Sequence, residues 1–302
     1  MTDAETVWEV PEPLATLDVR VDEDTVIHVR RHGNPDGPRL VLSHGNGLAI
    51  DVYYPFWSLL MEEFDLLVYD LRNHGWNGVG PPDTHNIPTI SRDQDLVLEA
   101  IDADFGAKPK AGVFHSVSAM TTLLSPSDCE GFSALFLFDP PLRKPGVSHE
   151  EFDEASLKTA SMARKRGYQF KSREDFTELL GFSPSYRHVV PGVLPLIAQA
   201  TLRASSSGGG YELICPREYE AQIVEFGRLF SVFVDFTSIK CPIKVLGADP
   251  TLPYSYLPTL DLGDIRNVDY DFLPDATHFL QLEQPELCAA SVREFLAEAH
   301  FL

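Results

Sequence analysis

Short apolar runs alternate with helical patterns through the first 140 residues of this 302-residue chain. The runs at 39–43, 64–70 and 131–138, and the one that ends at residue 115, have the continuous hydrophobic character of buried parallel strands. An antiparallel hairpin is predicted at 14–20 and 25–31, and an amphipathic helix at 91–105 with Ser91 as its N-cap. Strands that alternate with helices in this way predict an α/β fold, with a mostly parallel, doubly wound sheet and right-handed crossovers.

The alternation is interrupted once and then resumes. Residues 142–236 are rich in charge and in helix formers, and the clearest helical patterns lie at 150–166 and 172–180. Strands are predicted again at 241–247 and 268–273, with a short helix at 252–260 between them and an amphipathic helix at 284–299 after them. We therefore predict a core domain formed by residues 1–141 and 237–302, and a helical cap at residues 142–236.

The charge balance excludes several classes of partner. The chain carries 24 basic and 45 acidic residues, a net charge of −21, so nucleic acids and anionic membrane surfaces would repel it. No secretory signal and no apolar run long enough to span a bilayer is recognised. The four cysteines are widely spaced, which argues against a zinc site and a disulfide framework. These features predict a cytoplasmic protein, without a cofactor or metal, whose partner is a small molecule; they leave its oligomeric state open.

Side chains suited to acyl transfer follow several of the predicted strands. The run ending at His115 is followed at once by Ser116 and then by helix-compatible residues, a strand–turn–helix pattern that would expose the serine hydroxyl above the sheet edge. The alternative is a loop serine that caps the helix. His278 follows the last strand and Asp249 follows the strand before it, so a base and a carboxylate are available to activate the hydroxyl. The order Ser116, Asp249, His278 is that of the nucleophile-elbow hydrolases.

The chain resembles the α/β-hydrolase superfamily from the opening hairpin through the last helix. The motifs that carry the resemblance are HGNG at 44–47, YDLRNHG at 69–75, HSVS at 115–118, LGAD at 246–249 and THFL at 277–280. The resemblance implies an α/β-hydrolase fold, with an eight-stranded sheet and an inserted helical cap, and the activity of a cofactor-independent serine hydrolase. By position, Ser116 would be the nucleophile, Asp249 and His278 its supporting acid and base.

The same resemblance implies an oxyanion hole made of backbone amides. Its donors would be Val117, which follows the nucleophile, and Asn46, with Gly47 as the alternative. Losing one such donor typically costs about 3–4 kcal/mol of barrier lowering.

The sequence departs from the family pattern at two places. Phe114 stands two residues before the nucleophile, where the family usually has a small residue, and this leaves Ser118 as a competing nucleophile. The loop that carries the acid is one residue shorter than usual, so Asp139, at the end of an earlier strand, is an alternative to Asp249.

Two classes of function follow from these features. The first is hydrolysis of a small to medium, mostly apolar carboxylic ester through an acyl-enzyme intermediate, with lactone, thioester or carbon–carbon bond cleavage as variants of the same chemistry. The second is a non-catalytic, ligand-sensing protein that keeps the fold.

Overall fold

The computed structural model describes residues 6–142, 148–206, 208–252 and 268–302. Their strands are β1 (Ala15–Arg20), β2 (Val26–Gly33), β3 (Arg39–Ser43), β4 (Asp65–Tyr69), β5 (Lys110–His115), β6 (Ala134–Phe138), β7 (Gln169–Phe170), β8 (Leu202–Ala204), β9 (Tyr211–Leu213), β10 (Ile243–Gly247) and β11 (Val268–Phe272). Eight of them form one sheet in the order β1-β2-β4-β3-β5-β6-β10-β11. Strand β2 pairs antiparallel with β1 and β4, and the other pairs are parallel. The predicted mostly parallel, eight-stranded sheet is therefore confirmed.

Some of the helices pack against this sheet, on both of its faces. The helices are α1 (Tyr54–Trp57), α2 (Ile87–Phe105), α3 (Val117–Leu123), α4 (His149–Lys165), α5 (Arg173–Gly181), α6 (Val193–Thr201), α7 (Arg217–Phe230), α8 (Leu280–Glu283) and α9 (Pro285–Glu298). Helix α2 begins earlier than predicted, because Asn86 is its N-cap and accepts a hydrogen bond from the amide of Thr89. Ser91, the predicted cap, lies inside the helix, where its hydroxyl donates to the carbonyl of Thr121.

The segment between β6 and β10 contains more than the predicted helices. Helices α4 and α5 match the predicted ones, and Ser148 forms a capping box with Glu151 at the start of α4. Three short strands also form a small antiparallel sheet in the order β7-β9-β8, which was not predicted because strands of two or three residues carry no readable alternation. The predicted helix at 252–260 lies outside the described residues beyond Leu252, and the division into core and cap domains stays a prediction.

Alternate residues of the central strands enter two separate hydrophobic clusters. Leu40 and Leu66 belong to the cluster on one face of the sheet, while Val41, Leu67 and Phe114 belong to the cluster on the other. This is the two-residue period of a strand buried on both faces. Among the described helices, none is long and apolar enough to cross a membrane.

Candidate active site

Three side chains meet at the edge of the sheet where the parallel strands end. Ser116 follows β5, Asp139 follows β6, and His278 lies between β11 and α8. The Nε2 atom of His278 is 2.9 Å from the Ser116 hydroxyl, and its Nδ1 atom is 2.6 Å from a carboxylate oxygen of Asp139. A base is thus hydrogen-bonded to a hydroxyl on one side and to a carboxylate on the other, which is the geometry needed to activate a serine.

Ser116 occupies a strained turn. Its φ is 55° and its ψ is −117°, a conformation that side-chain-bearing residues rarely adopt. The residue stands at the N-cap position of α3, yet its side chain makes no capping hydrogen bond and is directed to His278 instead. The interpretation of this serine as a helix cap is therefore wrong, and the strand–turn–helix prediction is confirmed. Ser118 has a different role, because its hydroxyl donates to the carbonyl of His115 within the turn.

Phe114 fits beside this turn because the strand has a glycine two residues earlier. Residues 112 and 114 point to the same face of β5. A Cβ atom on Gly112 would lie 2.5 Å from the Phe114 ring, so the absence of that atom makes the room that the ring uses. The ring is fully buried and packs edge-on against Phe132, with centroids 5.6 Å apart. The large ring two residues before the serine is thus accommodated in the hydrophobic core, between Gly112 and Phe132.

The preference for Asp249 over Asp139 as the partner of His278 requires correction. Strand β6 lies directly beside β5, so Asp139 emerges next to Ser116, and its side chain is fully buried. One oxygen of Asp139 faces His278 and the other accepts the amide of Ala248 at 3.2 Å. Asp139 therefore holds the imidazole in place, which is the position that sequence reasoning had given to Asp249.

Asp249 instead supports the loop that carries His278. One of its oxygens accepts from the hydroxyl and amide of Thr251, and the other accepts from the amide of Asp275 at 3.0 Å. The hydroxyl of Thr251, together with these two amides, lowers the pKa of Asp249. Glu283 holds the same loop from its other side by accepting from the amide and hydroxyl of Thr277.

Two of the three predicted oxyanion donors have free amides. In the described part of the chain, the backbone amides of Asn46 and Val117 donate to no protein group. The amide of Gly47 donates to Nε2 of His74 at 3.1 Å, so it is already engaged. A Cβ atom on Gly45 would lie 3.2 Å from Cβ of Ser116, so the loop runs directly beside the serine. These positions favour Asn46 and Val117 over Gly47 as donors.

Two neutral histidines fix this loop. His44 contacts the carbonyl of Gly45 through Nδ1 and accepts the amide of Leu71 through Nε2. Nδ1 of His74 is 2.9 Å from the carbonyl of Arg72. Burial lowers the pKa of His44 to about 4 and that of His74 to about 3, so both rings are neutral at pH 7. A neutral ring has one donor and one acceptor nitrogen, and each ring uses both.

Helix α7, which sequence reasoning missed, covers the same loop. The side-chain amide of Asn46 donates to the carbonyl of Glu220 at 2.8 Å, and the Glu220 carboxylate lies against Gly47. Arg166, at the end of α4, forms an ion pair with Glu220. The strong amphipathic pattern of residues 217–230 could have identified this helix, but not its contact with Asn46, which lies 174 positions earlier in the chain.

The described residues contain no group of three or more His, Cys, Asp or Glu side chains that could hold a metal ion.

Comparison with known proteins assigns a family to most of the chain. A family model described as the alpha/beta hydrolase family matches residues 40–291. No curated protein matches the sequence.

Solved structures with the same fold cover nearly all of the chain. The crystal structure of an E-2-(acetamidomethylene)succinate hydrolase has 16% identity and a TM-score of 0.75, over 94% of this chain and 99% of its own. A thioesterase domain from the curacin biosynthetic pathway has 15% identity and a TM-score of 0.70, over 92% and 98%. The enol-lactonase from Burkholderia xenovorans LB400 has 21% identity and a TM-score of 0.66, over 90% and 97%. At these identities the likeness is one of fold.

Proposed function

Because this chain belongs to the alpha/beta hydrolase family, we propose that it is a serine hydrolase that cleaves a small to medium, mostly apolar carboxylic ester. The observation that carries the proposal is the pair of hydrogen bonds of His278, 2.9 Å to the Ser116 hydroxyl and 2.6 Å to Asp139. The substrate is a small molecule, and every group that the reaction needs is a side chain or backbone amide of the chain itself.

In the acylation step, Ser116 attacks the ester carbonyl while His278 Nε2 takes the hydroxyl proton. Asp139 keeps Nδ1 protonated and stabilises the imidazolium that forms. The carbonyl oxygen becomes negatively charged, and the free amides of Asn46 and Val117 are its donors. The imidazolium then gives its proton to the leaving alcohol, and the acyl group stays on the Ser116 oxygen.

Deacylation repeats the sequence with water. His278 takes a proton from a water molecule as the water attacks the acyl carbonyl, and the same two amides stabilise the second oxyanion. The collapse of this intermediate returns the proton from His278 to Ser116 and releases the carboxylic acid. Both steps use the same donors because the carbonyl oxygen stays in one place.

The ion pairs of two arginines at the end of α4 support an uncharged substrate. Unpaired, Arg164 or Arg166 could bind a substrate carboxylate. Arg164 donates through two nitrogens to Glu225, and Arg166 is paired with Glu220. A substrate carboxylate would have to displace a glutamate from either arginine, so a neutral ester fits these residues better.

Hydrolysis of p-nitrophenyl acetate and butyrate tests the proposal. We expect Ser116→Ala to lower kcat by at least about 10³-fold, because removal of the nucleophile abolishes the acyl-enzyme route. Ser118→Ala is the matched control, a serine two residues away whose loss should change kcat by less than about tenfold. A wild type no faster than Ser116→Ala would contradict the proposal and favour the ligand-sensing alternative.

The choice among acyl substrates is tested in the same assay. Thioesters, lactones and β-diketone acids of matched chain length are compared with oxyesters by their kcat/KM values. An oxyester that reacts fastest supports the proposal, while a Ser116-dependent preference for another class keeps the mechanism and changes the substrate.

A further inference from the structure

A series of three hydrogen bonds connects residues 44–47, the loop of the proposed oxyanion hole (the oxyanion loop), to His278, the proposed base. The amide of Gly45 is 3.1 Å from the hydroxyl oxygen of Tyr53, and that oxygen is 2.7 Å from Nδ1 of His115. On the other side of the ring, Nε2 of His115 is 2.8 Å from the backbone carbonyl oxygen of His278. Tyr53 and His115 are each 1% exposed, so water does not compete for these bonds.

The direction of each bond follows from the groups at the two ends. The carbonyl of His278 can only accept, so His115 must carry its proton on Nε2. Burial, and next the neighbouring imidazole of His278, lower the pKa of His115 well below its ordinary value of 6.5, so the ring is neutral and its Nδ1 accepts. The hydroxyl of Tyr53 therefore donates to Nδ1, and its oxygen accepts the amide of Gly45. Within these three hydrogen bonds, each nitrogen of His115, the hydroxyl of Tyr53 and the amide of Gly45 has a partner.

This series of hydrogen bonds ends at Gly45 on one side and at His278 on the other. These are the two parts of the site that have to be held at a fixed separation. Gly45 precedes Asn46, whose free amide is a proposed oxyanion donor. At the other end, the carbonyl belongs to His278 itself, and the rings of His115 and His278 are 4.7 Å apart. A displacement of about 1 Å between reacting groups can reduce the rate by about 10²-fold.

We propose that Tyr53 and His115 are positioning residues for the hydrolytic reaction, which together hold the oxyanion loop and His278 in register with Ser116. This inference rests on the proposed function. Neither side chain forms a hydrogen bond to the reacting atoms; each binds the backbone of a segment that carries them, and the ring of His115 also packs against that of His278. The sequence offers no sign of this role, because Tyr53 lies 62 residues before His115 and both read as core residues.

The test uses Tyr53→Phe, which removes one buried oxygen and leaves the ring. We expect kcat for p-nitrophenyl acetate to fall by about 10- to 100-fold, with KM changed by less than about twofold, because positioning acts on the chemical step. Tyr69→Phe is the matched control. Tyr69 is equally buried, but its hydroxyl faces Gln94, so its loss should leave kcat unchanged. Equal kcat values for the two variants would overturn the proposal.

A double-mutant cycle tests whether Tyr53 and His115 affect kcat through the same hydrogen bonds or independently of each other. If Tyr53 acts through His115, Tyr53→Phe should lower kcat little further in a His115→Gln background, by less than about threefold. Losses that multiply in the double variant would contradict a common route.

Long-range ¹H–¹⁵N spectra of histidine-labelled protein give a readout that needs no turnover. We expect His115 to be a neutral ring protonated on Nε2 across pH 6–8, and Tyr53→Phe to move its Nδ1 resonance toward that of an unbonded nitrogen. An Nδ1-protonated ring, or a resonance that Tyr53→Phe leaves unchanged, would overturn the proposal. A wild type without Ser116-dependent turnover would reject the proposed function, and the spectra would still judge the hydrogen-bond chain.

Discussion

Replacing Asp139 by Asn should nearly abolish hydrolysis, while the same change at Asp249 should be tolerated. Asp139 is fully buried and 2.6 Å from Nδ1 of His278. When His278 takes the serine proton, the carboxylate faces an imidazolium. An ion pair at about 4 Å is worth about 4 kcal/mol at an effective dielectric constant of about 20, and each 1.4 kcal/mol or so is tenfold in rate. The asparagine also presents an NH₂ group that favours the wrong tautomer, so we expect a loss of about 10³- to 10⁴-fold in kcat.

The comparison with Asp249→Asn makes this prediction decisive. Asp249 accepts bonds from Thr251 and Asp275 in the loop that carries His278, and an asparagine keeps one of its two accepting oxygens. We therefore expect kcat to fall by no more than about tenfold. The assay is steady-state hydrolysis of p-nitrophenyl butyrate at pH 8, with circular dichroism spectra to establish that both variants fold. A larger loss for Asp249→Asn than for Asp139→Asn would refute the assignment of Asp139 as the partner of His278.

Two predictions concern stability. Gly112→Ala should lower the free energy of unfolding by about 1–3 kcal/mol, because the added methyl group would meet the Phe114 ring; urea denaturation measures the loss, and Phe114→Leu in the same chain should recover part of it. A Gly112→Ala variant as stable as wild type would show that the ring has room elsewhere. Stability should also fall below pH 6.5. Burial lowers the pKa of His32, His44 and His74 to about 4, about 4 and about 3, so these rings take up protons in the unfolded chain but not in the folded one. Each of the three should lower the free energy of unfolding by about 1.4 kcal/mol at pH 5.5. A urea midpoint equal at pH 7.5 and 5.5 would contradict this.

Most strands and the elbow were predictable because their signals are local. The runs at 39–43 and 64–70 match β3 and β4, and the abrupt end of a strand at His115 placed Ser116 in a sharp turn. The predicted N-cap of α2 was wrong by several residues. Ser91 and Asn86 are both suitable cap residues, and only the packing of the helix determines which of them caps it. Small strands and helix α7 in the inserted segment were missed.

The sequence by itself determined which groups carry the proposed chemistry. Strand, turn and helix follow one another within about ten residues at Ser116, and His278 follows the last strand, so local patterns were enough to nominate both. Tertiary structure decided which carboxylate reaches His278. Asp139 and Asp249 both follow parallel strands, and only the placement of β6 between β5 and β10 brings Asp139 to the imidazole. That order comes from side-chain packing between strands far apart in the chain, which no local pattern encodes.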